Sequence, residues 1–166
     1  MRRAENMPKI RLMNQKFGSV LEALEYAETA SGKPGLPLDH GFGIVNFLRA
    51  RFGDIQEPDR PRARIVLKNV FLQHARLRLP ALRSIQGHFD AMKPEGQVGY
   101  ADFLRDAAEH PDVHGEILVI AKAAFRQTHA PEVKAALREA VNAVLKNGPN
   151  PENTRRANSL LEILHP

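Results

Sequence analysis

Three observations predict an all-α fold. Apolar residues recur at three-and-four spacing through most of the chain, alternating strand patterns are missing, and proline and glycine punctuate the pattern at short intervals. The expected architecture is a single compact multi-helix bundle of about seven to eight helices, around a nearly all-round apolar central helix near 62–79. No register recurs at a period of about 30 to 45 residues, which argues against a solenoid.

Residues 1–16 carry five basic residues against one acid without a sustained period, and read as a flexible basic arm. Residues 17–166 read as a single helical domain. Phe17, Val20, Leu21, Leu24 and Ala27 make the inner face of the first helix, with Glu22, Glu25 and Glu28 turned outward. Gly32 and Pro34 stop it, and Asp39 is placed to cap the second helix, whose stripe is Phe42, Val45, Leu48 and Phe52. After Gly53 and the polar stretch DIQEPDRPRAR, Pro61 suits the first turn of the third helix.

In that helix Ile65, Val66, Leu67, Val70, Phe71, Leu72, Ala75 and Leu77 cover all but one polar strip, so neighbours are expected on several sides. Pro80 breaks it, and a fourth helix is expected over 81–92. Beyond the turn KPEGQVG, helices are expected near 100–109, 111–128 and 131–146. After the stop NGPNP, a last one runs over 152–164 through Ala157, Leu160, Leu161 and Leu164.

Composition narrows the function. The chain has 166 residues, 24 Lys plus Arg against 19 Asp plus Glu, seven His, no Cys and no Trp. At 43% apolar and 26% charged it is ordinary globular protein. The missing cysteines exclude disulfides, thiolate metal sites and thiol nucleophiles. No apolar run approaches the roughly 18 residues of a membrane helix, and the start lacks the apolar stretch of a secretory signal. A cytoplasmic protein without membrane attachment is expected.

The net charge of +5 conceals a separation: +4 in residues 1–16, +7 in residues 60–83, and −6 elsewhere. No acid stands between Asp59 and Asp90, while Arg60, Arg62, Arg64, Lys68, Arg76, Arg78 and Arg83 fill the tract. Arg62, Asn69 and Arg76, spaced by seven, keep one line, and Gln73 belongs to the same strip. Guanidinium forks bind phosphate oxygens bidentately and amides add directed hydrogen bonds, so these seven cations are the candidate nucleic-acid contacts. With no Trp and Phe mostly at core-periodic positions, such binding would be to the backbone and strongly salt-dependent. The alternatives are a helical adaptor whose tract meets an acidic protein partner, and an internal ion-pair network with Glu22, Glu25 and Glu28.

Catalysis is not expected. EHPDVHGE concentrates Glu109, His110, Asp112, His114 and Glu116, and a metal-dependent enzyme built there is a third reading. Pro111 and Gly115 place His110 just outside a helix start, which favours a structural role. None of Ser19, Ser31, Ser84 or Ser159 sits in a nucleophile elbow, and no glycine pattern forms a phosphate loop. HFDAMKPEGQVGYADFL loosely resembles the helix–loop–helix of an EF-hand. With Gly96 at the sixth loop position, Ala91 and Lys93 fall where calcium ligands should be. No catalytic residue, metal ligand or cofactor is assigned.

Overall fold

The computed structural model describes residues 10–164, so residues 1–9 of the expected arm and the C-terminal His165 and Pro166 lie outside it. The architecture is all-α: eight α-helices and one two-stranded hairpin among the described residues, grouped into two compact units, Met1–Ile85 and Gln86–Pro166. No described helix is long and apolar enough to cross a membrane.

The first unit corrects the expectation of an arm over all of residues 1–16. Strands β1 (Ile10–Leu12) and β2 (Gln15–Phe17) pair antiparallel, with Ile10 opposite Phe17 and Leu12 opposite Gln15. Met13 turns the hairpin in the left-handed region at φ 57°. Leu12 is fully buried, the Phe17 ring lies 5.2 Å from Tyr26, and Gln15 Nε2 donates to the Tyr26 hydroxyl at 3.2 Å. Three-residue strands are too short for alternation to register in sequence.

Helix α1 (Val20–Ser31) therefore starts after Phe17, not at it. Ser19 Oγ accepts from Glu22 N at 3.1 Å while the Glu22 carboxylate accepts from Gly18 N at 3.0 Å, a variant of the capping box that satisfies two amides at the helix start. Helix α2 (Leu38–Arg51) has Asp39 in its first turn rather than at the cap. Its inner face is Ile44, Val45, Phe47 and Leu48, and Phe42 is left exposed.

Helix α3 (Arg60–Gln73) ends earlier than the expected 62–79. His74 takes extended backbone (φ −145°), and its Nε2–H donates to Leu36 O at 2.6 Å. A 3-10 turn (Ala75–Leu77) and the short helix α4 (Arg78–Arg83) follow, with Pro80 in the first turn of α4, where its missing N–H costs nothing. This break turns Leu77 onto α2, where Gly41 leaves the space: a methyl group at 41 would overlap Leu77 Cδ1.

In the second unit, a 3-10 segment (Gln86–Ala91) replaces most of the helix expected over 81–92. Helix α5 (Pro94–Ala107) starts at the residues expected to form a turn. Gly96 thus lies inside a helix, and no calcium-type loop forms. The buried Gln97 explains the early start: its Nε2 donates to Phe89 O at 2.9 Å and its Oε1 accepts from Thr128 Oγ1 at 3.2 Å, satisfying both ends of the amide. After a 3-10 turn (Pro111–Val113) come α6 (His114–Gln127), α7 (Pro131–Lys146) and α8 (Pro151–Ile163). Helix α7 packs on α5, α6 and α8, burying Val133, Leu137, Val141 and Val144. Gly148, at φ 66°, makes the left-handed turn in NGPNP, and Asn150 Oδ1 caps α8 by accepting from Asn153 N at 2.8 Å.

Two predictions follow from this packing. Gly41→Ala gains about 1 kcal/mol of helix propensity but forces a fully buried Leu77 to move, which costs about 1–3 kcal/mol. The denaturant midpoint is expected to fall; a rise would mean that Leu77 has room. Tyr100, fully buried 6.0 Å from the Phe89 ring, has its hydroxyl pKa raised well above 10, first by burial and then by the Glu116 charge. The unfolded phenol ionises near pH 10 while the folded one keeps its proton, so stability falls as pH rises above that value. In a Tyr26→Phe background, phenolate absorbance should appear only together with loss of helical circular dichroism. Absorbance rising while the helices persist would contradict it.

Candidate interaction site

The seven cations of the basic tract do not share one environment. Arg60 is the most enclosed of the paired ones. Its Nε donates to Ile55 O at 3.1 Å, its Nη1 meets Glu57 at 2.7 Å, and its guanidinium lies over the Phe52 ring at 5.2 Å. Arg62 is turned onto α1: Nη2 bonds Glu28 Oε1, Nε lies 3.1 Å from both Glu28 oxygens, and Nη1 lies 3.0 Å from Asp59. Glu25 stands 3.9 Å away on the same side. Hydrogen bonds to Glu28 and Asp59 raise the Arg62 pKa above the ordinary arginine range, so the group is a fixed cation inside an acidic cradle.

Gln73, from the same strip, is likewise used within the unit. Gln73 Nε2 donates to Lys33 O at 2.7 Å and is 3.4 Å from Ser31 O, satisfying carbonyls at and just beyond the end of α1. The expected line of Arg62, Asn69 and Arg76 is therefore broken. Arg62 faces α1, Asn69 is half-buried, and Arg76 sits past the helix end in the 3-10 turn. The donors of Arg62 and Arg60 are already matched to Glu28, Asp59, Glu57 and a carbonyl.

The remaining members are Arg64, Lys68, Arg76, Arg78 and Arg83. Arg64 is half-buried, Lys68 is exposed on α3, and Arg78 lies 5.9 Å over the Phe71 ring. Arg76 and Arg83 are exposed in the segment after α3, and Arg76 makes no ion pair with any described residue.

With its polar strip on the flank toward α1 and its apolar set buried, α3 presents a different face to solvent. Its exposed positions are Pro61, Ile65, Lys68 and Leu72, spaced four, three and four apart along one line. Ile65 and Leu72 are 59% and 58% exposed, the largest values among the exposed large hydrophobic side chains. The expectation of neighbours on several sides of this helix is corrected on this line, because the helix buries Ala63, Val66, Leu67, Val70 and Phe71 and no described element covers the opposite line. Sequence reasoning missed these two residues because apolar side chains nearly encircle α3, and periodicity cannot choose an inner face in that case.

The remaining candidates lie in the second unit. His114 is buried, and its Nε2–H donates to Ala108 O at 2.7 Å, tying the start of α6 to the end of α5. That nitrogen is committed to the fold, and His110 stands just before the 3-10 turn as expected. Asp102 and Asp106 both pair with Arg105, at 3.3 and 3.5 Å. No family model, curated protein or solved structure matches this chain.

The Arg62 cradle makes a coupled prediction. Glu28→Gln and Arg62→Gln each lower the thermal midpoint, and the double variant loses less than the sum of the two, because each single change removes the same interaction. Strictly additive losses would show that the side chains do not act as a pair.

Proposed function

We propose that this protein works by binding rather than catalysis, and that the exposed line of α3 receives an acidic protein segment that also brings apolar side chains. The single observation that carries this reading is the placement of Ile65 and Leu72 on the same outer line as Lys68, with Arg64 beside it. Magnitudes separate the possible partners. Covering the exposed part of each aliphatic side chain is worth about 1 kcal/mol or more, whereas a rim ion pair is worth about 0–1 kcal/mol. A partner with only anionic oxygens leaves the larger contribution unused. An acidic segment with Leu- or Ile-like side chains uses both, the apolar pair holding and the cations orienting.

Contact with nucleic-acid backbone through Arg64, Lys68, Arg76, Arg78 and Arg83 is the competing reading, favoured by the acid-free stretch between Asp59 and Asp90. One titration decides between them. The chain is presented at low salt with an amphipathic Leu/Glu helical peptide, with a Ser/Glu peptide of equal charge, and with a mixed-sequence duplex. The proposed function expects the Leu/Glu peptide to bind best and Ile65→Ser with Leu72→Ser to weaken by about tenfold the component of that binding held by the α3 line, the folding of that exposed double variant being checked by circular dichroism. Steeply salt-dependent duplex binding that ignores Ile65 and Leu72 but collapses on Arg76→Glu would establish the nucleic-acid reading instead. Absence of binding to all three would sink both.

A further inference from the structure

The second unit holds a feature that its overall charge hides. Residues 86–166 contain nine Lys plus Arg against eleven Asp plus Glu, a net of −2. Yet the groove between α6 and α8, about 530 Å³ in volume, is lined by Lys122, Arg126, Arg155 and Arg156 and by no acid. All four cations are exposed. Lys122, Arg126 and Arg155 form no ion pair with any described residue, and Arg156 has only a long contact to Asn153 Oδ1 at 3.5 Å. Elsewhere in the unit Arg105 meets Asp102, Asp106 and Glu139, Lys134 lies over the Phe125 ring, and Arg138 donates to Leu164 O.

Between the cations the groove is apolar. Leu118 and Leu160 form its buried floor, while Val119 and Ile163 are 47% and 55% exposed within it. Lining positions run from Leu118 to Arg126 on α6 and from Arg155 to Ile163 on α8, so each wall is about two helical turns, roughly 12 Å long.

We infer that the α6–α8 groove is a docking site for a short amphipathic helix of an acidic partner protein, whose apolar side chains cover Val119 and Ile163 while its carboxylates meet Lys122, Arg126, Arg155 and Arg156. Charge complementarity fixes this occupant. Four unmatched cations on two walls call for several carboxylates spread over a turn or more, which one small monoanion does not supply. The apolar floor between them calls for side chains that a nucleic-acid backbone does not carry. A second copy of this chain is a poor match, because residues 1–85 carry a net charge of +7 and would be repelled. Helices docked in grooves use this combination of apolar anchors at one-turn spacing and flanking charge. The site belongs to α6 and α8 alone and does not depend on the reading of α3.

The test uses the full chain and a labelled peptide of about twelve residues, with Glu and Leu on opposite sides of one helical face, followed by fluorescence anisotropy. Saturable binding is expected, weakened about tenfold or more by Arg126→Glu with Arg155→Glu and several-fold by Ile163→Ser. Ile65→Ser with Leu72→Ser should leave this component unchanged, which separates failure here from failure of the α3 reading. All of these positions are exposed, so unchanged circular dichroism certifies the variants. Three outcomes would each overturn the assignment: no binding, equal binding of a Leu-free peptide of the same charge, or concentration-dependent self-association abolished by Arg126→Glu with Arg155→Glu.

Discussion

The contact on which the first unit depends is the seating of α3's polar strip against α1. Apolar side chains surround α3 so completely that burial alone does not choose which side faces the core. The buried face is Ala63, Val66, Leu67, Val70 and Phe71, and on its flank Arg62 meets Glu28 and Asp59 while Gln73 satisfies two carbonyls at and beyond the end of α1. Carbonyls at a helix end have no intrahelical partner, so an amide delivered there answers a need that any packing of α1 would create. The cost is paired with this gain. With the strip held against α1, Ile65 and Leu72 stay outward, and each forgoes roughly 1 kcal/mol or more of burial.

That arrangement changes what a basic tract means. A run of cations without acids suggests phosphate binding when read along the chain, but two of its members, Arg60 and Arg62, find acids brought in from Glu57, Asp59 and Glu28. What reaches solvent on α3 is a cation set among aliphatic side chains. The α6–α8 groove repeats the same chemistry in the other unit, with Val119 and Ile163 beside four cations. Both proposals therefore rest on the same pairing of exposed aliphatic side chains with cations. These assignments rest on complementarity of charge and apolar area at named positions.

Much of the fold was legible because proline marks helix starts. Pro131 and Pro151 open α7 and α8 within a residue of expectation, and the α7 bounds of 131–146 match. The helix class followed from period and breakers alone. The expected start of α1 at Phe17 is misplaced, because the apolar period runs on past the capping pair Ser19 and Glu22. The end of α3 was not legible: His74 is extended because Leu36 O accepts its ring N–H, a contact across 38 positions. The hairpin was hidden by strands of three residues. The groove was hidden for a different reason, since its cations come from two helices separated in sequence by α7, in a half of the chain whose acids outnumber its bases.

The orientation of α3 about its own axis is the claim from which the account of the first unit follows, and a chain without cysteine allows it to be measured directly. Single variants Ile65→Cys, Leu72→Cys, Val66→Cys and Val70→Cys each carry a unique thiol whose rate of alkylation under native conditions reports exposure. The account predicts labelling at 65 and 72 at close to the rate of the denatured chain, with strong protection at 66 and 70. Protection at 65 and 72 would contradict it, because it would mean that the Ile65–Leu72 line is covered and not open to a partner.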